Sequence, residues 1–233
     1  GDMTAAAEAE EWAEAYKQGK KMTTSCCPAF VNMIRQHFPT LLEHMSTTVS
    51  PMCAVSRMLK SEDPDVVTVF IGPCIAKKSE SLDLSIQGNA DYVLTMEEAR
   101  AMMRARGVEL EPEPNSLQDG SVFGKRFGKG GGVTAAVLEC LKESGENTDI
   151  NVMKCNGAAE CKKALLLLRA GKLPADFIEG MACVGGCVGG PSKHKSEQEA
   201  KKARDLLIGQ ADAREVHENL SRYPMDRFSM HRH

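Results

Sequence analysis

The 233-residue chain is 42% hydrophobic and 26% charged, an ordinary globular mix that excludes a disordered, collagen-like or coiled-coil protein. Lys+Arg 29 against Asp+Glu 32 leaves a formal charge of −3, so no basic excess points to nucleic acid or an anionic membrane, and no apolar run reaches the roughly 20 residues of a membrane helix. Nine cysteines, an odd number and far below disulfide-scaffold density, point to sulfur chemistry in a reducing, cytoplasmic compartment.

In chain order, Met3 to Gln18 sets Ala5, Ala9, Trp12 and Tyr16 on one helical face, with Asp2 or Thr4 as cap and Gly19 as the end. A short basic link leads to Thr24-Ser25-Cys26-Cys27-Pro28. There Ser25 or Cys27 precedes a helix with Pro28 in its first turn and Phe30, Val31, Ile34 and Phe38 as its stripe. Pro39 restarts the chain as a short helix through Leu41, Leu42 and Met45. Val66 to Ile71 is continuously apolar, the mark of a buried parallel strand, and stops at Gly72-Pro73-Cys74. A strand over Asp91 to Leu94 runs into Thr95-Met96-Glu97-Glu98, whose spacing is that of a capping box. It predicts a helix through Arg106 closed by Gly107. Residues 108–121 form an acidic, proline-bearing loop. Helix 133–143, strand 149–154, helix 157–170 and strand 175–178 follow, then a Gly/Cys-rich loop and a charged helical region. The alternation predicts an α/β fold with parallel pairing.

Cys74 and Cys183 each follow a predicted strand, and in parallel sheets ligands gather beyond the carboxyl ends of strands. Cys26-Cys27, Cys74 and the Cys183-x3-Cys187 pair are therefore expected to be neighbours. Four thiolates suit an iron–sulfur cluster, but sulfur ligates zinc as well, and spacing alone leaves the metal open. Glycines at 180, 185, 186, 189 and 190 let backbone approach a ligand there. Cys53, Cys140, Cys155 and Cys161 lie on apolar stretches and read as core thiols. The glycines at 128 to 132 lack a phosphate-loop Lys-Ser/Thr. Alone, Glu8 and Glu11 read as solvated helix charges, Ser46 as the N-cap of the next segment, and Lys77, Lys78 and Glu80 as an exposed charge run.

Three stretches change this weighting. Thr24 to Pro28 (TSCCP), Pro73 to Glu80 (PCIAKKSE) and Glu179 to Gly190 (EGMACVGGCVGG) resemble, in order, the three signatures of the iron-only (FeFe) hydrogenases. Leu41 to Ser46, Phe127 to Val133 and Asn156-Gly157 also fit. The chain thus resembles the C-terminal catalytic (H-cluster) domain of the hydrogenase large subunit, in a divergent clostridial-type subgroup. The resemblance implies an α/β fold of parallel-sheet lobes with flanking helices, residues 1–233 forming most of one domain with its site between two lobes. It implies that Cys27, Cys74, Cys183 and Cys187 ligate a 4Fe–4S cluster. Cys187 would be shared with a two-iron subsite carrying CO, cyanide and a bridging dithiolate.

In that resemblance Cys26 is not a ligand but a thiol poised near neutral pH that passes the proton. Lys77 donates to a cyanide. Phe127 and Met181 wall the subsite, with Gly128, Gly131 and Gly132 allowing close packing. Glu8, Glu11 and Ser46 lead protons in from solvent. The implied reaction is reversible hydrogen formation, with ferredoxin or another carrier as electron partner and maturation proteins as builders of the subsite. Gly72, Met52 and Pro191-Ser192 depart from the family pattern near the site. By the same resemblance an upstream α/β segment and ferredoxin-like domains are expected before residue 1, so the chain reads as N-terminally truncated. Alone it is expected to be inactive, with an exposed apolar sheet face that favours self-association. Relatives of the hydrogenases that sense hydrogen or assemble clusters provide a non-enzymatic rival reading, and a zinc-binding structural domain a third.

Overall fold

The computed structural model describes residues 1–109 and 119–232, so most of the acidic loop 108–121 lies outside the described residues. The helices are α1 (Asp2–Lys17), α2 (Pro28–His37), α3 (Pro51–Glu62), α4 (Ala76–Ser81), α5 (Met96–Ala105), α6 (Val122–Arg126), α7 (Gly132–Glu143), α8 (Ala158–Arg169), α9 (Glu197–Gly209) and α10 (Val216–Leu220). The strands are β1 (Met22–Thr23), β2 (Val69–Gly72), β3 (Tyr92–Thr95), β4 (Val152–Asn156) and β5 (Phe177–Met181). They form two all-parallel sheets, one ordered β1-β5-β4 and one pairing β2 with β3.

β5 is buried on both faces because its successive side chains enter different cores. Phe177 stacks on Trp12 of α1, ring centroids 4.3 Å apart, in the core shared with α7. Ile178 joins Phe30, Ile34 and Leu165 in the core beneath α2 and α8. Helices thus cover both faces of the larger sheet, as parallel pairing requires.

Several expectations shift. Gly1 occupies the α1 N-cap, and Asp2 instead accepts from the Ser121 N–H (2.8 Å) and Asn219 Nδ2 (2.8 Å), while Thr4 Oγ1 is buried without a partner. Tyr16 turns outward. Gly19 does end the helix, at φ +66°, where only glycine is unstrained. The basic link hides β1, too short for a periodic signal. The segment from Pro39 is a 3-10 turn with Leu42 exposed. Periodicity does not predict helices α3 and α4, although Ser50-Pro51 is an N-cap and first-turn proline pair. β4 and β5 each lie about two or three residues later than expected.

Only the second half of the run Val66 to Ile71 is strand, β2 beginning at Val69, and it is half open: Val69 and Ile71 are 50% and 44% exposed, and Val67 ahead of it 64%. A two-stranded sheet with helices α4 and α5 against it buries one face and leaves the other uncovered.

The capping box is present in full. Glu98 N–H donates to Thr95 Oγ1 (3.2 Å), and Thr95 N–H to Glu98 Oε2 (2.7 Å). Thr95→Ala is expected to lower stability by about 1 kcal/mol. The check is a lower urea midpoint at unchanged slope; an unmoved midpoint would show that the cap contributes nothing.

Candidate metal centre

The cysteine loops leave the carboxyl ends of three parallel strands. Thr24 N–H continues the β1 ladder to Ile178 O (2.9 Å), and Thr24 Oγ1 accepts from Gly180 N–H (3.1 Å), which fixes the turn into Ser25-Cys26-Cys27. Cys27 then occupies the N-cap of α2. Cys74 follows β2, and Cys183 and Cys187 follow β5. The last loop is tied to the others by Cys187 N–H to Gly128 O (2.8 Å) and Ser192 N–H to Pro73 O (3.0 Å). Gly186, at φ +84°, lies where a Cβ would come within 2.4 Å of Gly128 O, so the loop closes only over glycine.

These loops enclose one cavity of about 250 Å³. Cys26, Cys27, Cys74, Cys183 and Cys187 all line it, together with Lys77, Phe127, Gly128 and Met181. Met52, Phe70, Pro73 and Ala182 are also part of its mostly apolar wall, and of these only Phe70 carries no signal in the sequence pattern. Gly131 and Gly132 do not line it. Gly131 N–H donates to Glu179 Oε1 (2.8 Å) and Gly132 opens α7, so these glycines serve the turn next to the site. Glu179, fully buried on β5, also accepts from Thr134 N–H (2.9 Å) and so caps α7 from another strand.

The donor set fits a cluster. All nine cysteines are free, four of them (Cys53, Cys140, Cys155, Cys161) buried in the cores. Among the described residues no three His, Cys, Asp or Glu groups converge tightly enough for a single metal ion. The four expected ligands all line one cavity, and four cysteine thiolates are the donors a 4Fe–4S cluster takes. Burial pushes the thiols of Cys74 and Cys183 up, with Cys27 adding in each case; for Cys74 the Lys77 N–H and ammonium oppose the shift. Cys187 opens onto the cavity by surface area yet is hemmed in by protein, and burial pushes its thiol up to about 12. Cys27, Cys74, Cys183 and Cys187 would have to lose their protons to hold a cluster, whose iron would supply the cationic compensation.

Cys26 differs from the neutral-range thiol expected of it. Burial first, then the charges of Glu8 and Cys27, hold it well above the usual thiol range, so it keeps its proton. Glu8 is not a solvated charge: it is fully buried, and among the described residues neither carboxyl oxygen has a hydrogen-bond partner. Burial pushes its carboxyl well up, Glu11 and Glu179 add to this, and a nearby Ser25 amide opposes it. Glu11, half-buried, accepts from Thr47 N–H (3.1 Å) and the Thr47 hydroxyl, and meets His231 Nδ1 at 3.1 Å. Ser46 is buried but caps nothing. Its hydroxyl accepts from Thr48 N–H (3.1 Å), and Ser50 is the α3 N-cap.

Nor is the 77–80 stretch an exposed charge run. Lys77 and Glu80 are buried and paired at 2.7 Å, and only Lys78 turns outward, to Glu98 at 2.8 Å. Lys77 therefore reaches the cavity already paired, with Glu80 behind it. The sequence motif contains Glu80 without giving it a role, because nothing in the spacing distinguishes a buried partner from a solvated one.

Comparison with known proteins agrees with this geometry. The family model for the iron-only hydrogenase large subunit, C-terminal domain, matches residues 1–191. The chain is 32% identical to the periplasmic Fe hydrogenase large subunit of Nitratidesulfovibrio vulgaris over an alignment covering 81% of this chain and 56% of that one. It is also 23% identical to a probable cytosolic Fe-S cluster assembly factor of Brugia malayi, over 91% of this chain and 58% of the relative. The chain spans about half the length of the curated relatives it matches. Its fold matches the structure of a Chlamydomonas reinhardtii FeFe-hydrogenase HydA1 variant with a TM-score of 0.70 at 22% identity, covering 97% of this chain and 76% of the other. With the signature cysteines gathered in one cavity and 191 residues matched, the chain belongs to the family of C-terminal domains of iron-only hydrogenase large subunits.

Proposed function

We propose that this chain is the cluster-bearing part of a hydrogenase catalysing 2H⁺ + 2e⁻ ⇌ H₂. Cys27, Cys74, Cys183 and Cys187 would hold a 4Fe–4S cluster. Cys187 would be shared with a two-iron subsite bearing CO, cyanide and a dithiolate. When bound, that group would pass electrons to or from the external carrier and supply the iron at which hydrogen is made or split. The chain's own part is to wall the site with Phe127, Met181 and Met52, to present the Lys77 ammonium, and to hold a proton on Cys26 Sγ. Glu8 stands behind Cys26 and Glu11 nearer the surface, an order suited to a proton route from solvent. Ser46 belongs to that route in this reading.

The observation that carries the proposal is the fifth thiol. Cys26 lies in the same cavity as the four expected ligands, protonated and backed by a buried carboxyl that no structural bond explains. A cluster scaffold needs neither group. Similarity to an assembly factor is what favours the rival, non-enzymatic reading. The electron carrier in this proposal is ferredoxin or a similar protein; the cleft beside Gly185 brings Lys129 and Lys154 together with Lys201 and Arg204, the latter two already paired with Glu197 and Asp205. A cytoplasmic, anaerobic setting and maturation proteins complete the reading. Among the described residues no helix is long and apolar enough to cross a membrane.

Anaerobic reconstitution with iron and sulfide is expected to give about four irons per chain, after which a synthetic two-iron complex should be taken up. Zinc retained in place of iron would overturn the proposal. A four-iron protein that refuses the complex would transfer belief to the assembly or sensor reading.

A further inference from the structure

The segment 228–232 lies outside the residues matched to the family, yet it returns to the loop that carries Cys26 and Cys27. It is seated by main-chain bonds. Val49 N–H donates to Met230 O (2.8 Å), and Arg232 N–H to Thr47 O (2.8 Å). Arg57 Nη1 donates to Ser229 O (2.6 Å) and His231 O (2.8 Å). Met230 is buried, so the segment is packed as well as bonded.

This seating delivers the Arg232 side chain, only 8% exposed, between the two halves of the site. On one side Arg232 Nη2 donates to Ser25 O at 2.8 Å, the carbonyl immediately before Cys26-Cys27 on the loop from the larger sheet. On the other it lies 3.8 Å from Glu80 Oε1, on the helix that follows the Cys74 loop from the smaller sheet. Glu80 Oε2 holds Lys77 at 2.7 Å. Among the described residues, Arg232 Nε and Glu80 Oε1 have no hydrogen-bond partner. Both residues line a separate polar cavity of about 200 Å³, with Arg35, Asp83, Asn32 and Ser79 also in its wall. A water there can donate to Glu80 and accept from Arg232, completing a buried network of two cations on one carboxylate.

We propose that Arg232 is a positioning residue for the metal centre: it staples the Cys26-Cys27 loop to the Glu80–Lys77 pair and so sets the separation of the two cysteine-bearing walls. A planar guanidinium suits this, since it can address a carbonyl and a carboxylate in different directions at once. Removing it leaves Glu80 with one cation instead of two and the Ser25 carbonyl without its donor, in a region where an unpaired group is costly.

The test starts from the anaerobic, metal-free chain and does not depend on the hydrogenase reading. Pulsed alkylation followed by mass spectrometry compares the labelling of Cys26 and Cys27 with that of the core thiols Cys140 and Cys161 in the same molecule. In Arg232→Gln the labelling of Cys26 and Cys27 is expected to rise about tenfold relative to the core thiols, because the opening is local. Arg232→Lys should give a smaller rise. Arg35→Gln, which alters the wall of the polar cavity but touches neither Ser25 nor Glu80, should leave the ratio unchanged. A second arm rests on the proposed cluster site. After reconstitution, the EPR spectrum and midpoint potential should shift in Arg232→Gln and return toward wild type in Arg232→Lys. Unchanged labelling in Arg232→Gln, or a rise shared equally by all four thiols, overturns the proposal. Should the Gln variant fail to fold, an unchanged ratio in a folded Lys variant overturns it equally. Failure of the wild-type chain to bind iron would count against the cluster reading and leave the alkylation result standing.

Discussion

Cys26→Ser, made in the loaded enzyme with the upstream segment it is expected to need, should lower hydrogen turnover by about 10²–10⁴-fold, the range of a lost general acid–base group, while iron content stays at the wild-type level. The thiol lies in the cavity wall but outside the expected ligand set, so the four-thiolate site survives its loss. Burial holds Cys26 protonated before any metal binds, with Glu8 the next contributor. A serine hydroxyl in that place is less acidic still and cannot release a proton on the timescale of turnover. Iron quantitation and the EPR spectrum of the reduced cluster accompany the rate measurement. Loss of iron in the variant would show that Cys26, rather than Cys27, ligates the cluster, and undiminished turnover would remove it from the proton route.

Glu8→Gln is expected to change the pH dependence of stability while also lowering turnover. The folded-state carboxyl of Glu8 is pushed well above the ordinary value of 4.5, chiefly by burial. Between those two values the folded chain holds a proton that the unfolded chain has released. Stability therefore falls as pH rises through that window, by about 1.4 kcal/mol per pH unit. Glutamine has the same shape and no ionisation, so the difference between variant and wild type should widen from pH 5 upward in the variant's favour. Urea midpoints across pH 5 to 8, taken anaerobically on the metal-free chain, provide the measurement. Parallel curves would mean that Glu8 ionises normally, and its place in the proton route would fall with its burial. A fold that keeps a destabilising carboxyl with no structural partner is what a site selected for proton transfer looks like.

The exposed face of β2 has a consequence of its own. Val67, Val69 and Ile71 read from the sequence as the centre of a buried strand, and their pattern is right for one. Burial on the second face must come from something packed against it, which a period in the sequence does not specify. Self-association, expected of the chain alone, would have this open apolar face available to it, and sedimentation of the chain at rising concentration checks it.

Local signals carried most of what the amino-acid sequence determined by itself. The Thr95–Glu98 box, the Gly19 stop, the stripe of α2 and the parallel α/β alternation each depend on residues within a few positions of one another, where propensity and capping act directly. The gathering of Cys26, Cys27, Cys74, Cys183 and Cys187 was also legible, because loops at the carboxyl ends of parallel strands share one edge. Tertiary structure alone decided the charges. Glu8 and Glu11, three residues apart on one helix, receive opposite environments: Glu8 is buried without partners, and Glu11 is satisfied by Thr47 and His231. Lys77 and Lys78 part in the same way, one paired inside with Glu80 and one outside with Glu98. Arg232 reaches Ser25 across 207 positions. A charged side chain's energy depends on how much water and which partner surround it, and both are properties of the packed fold rather than of its neighbours in the chain.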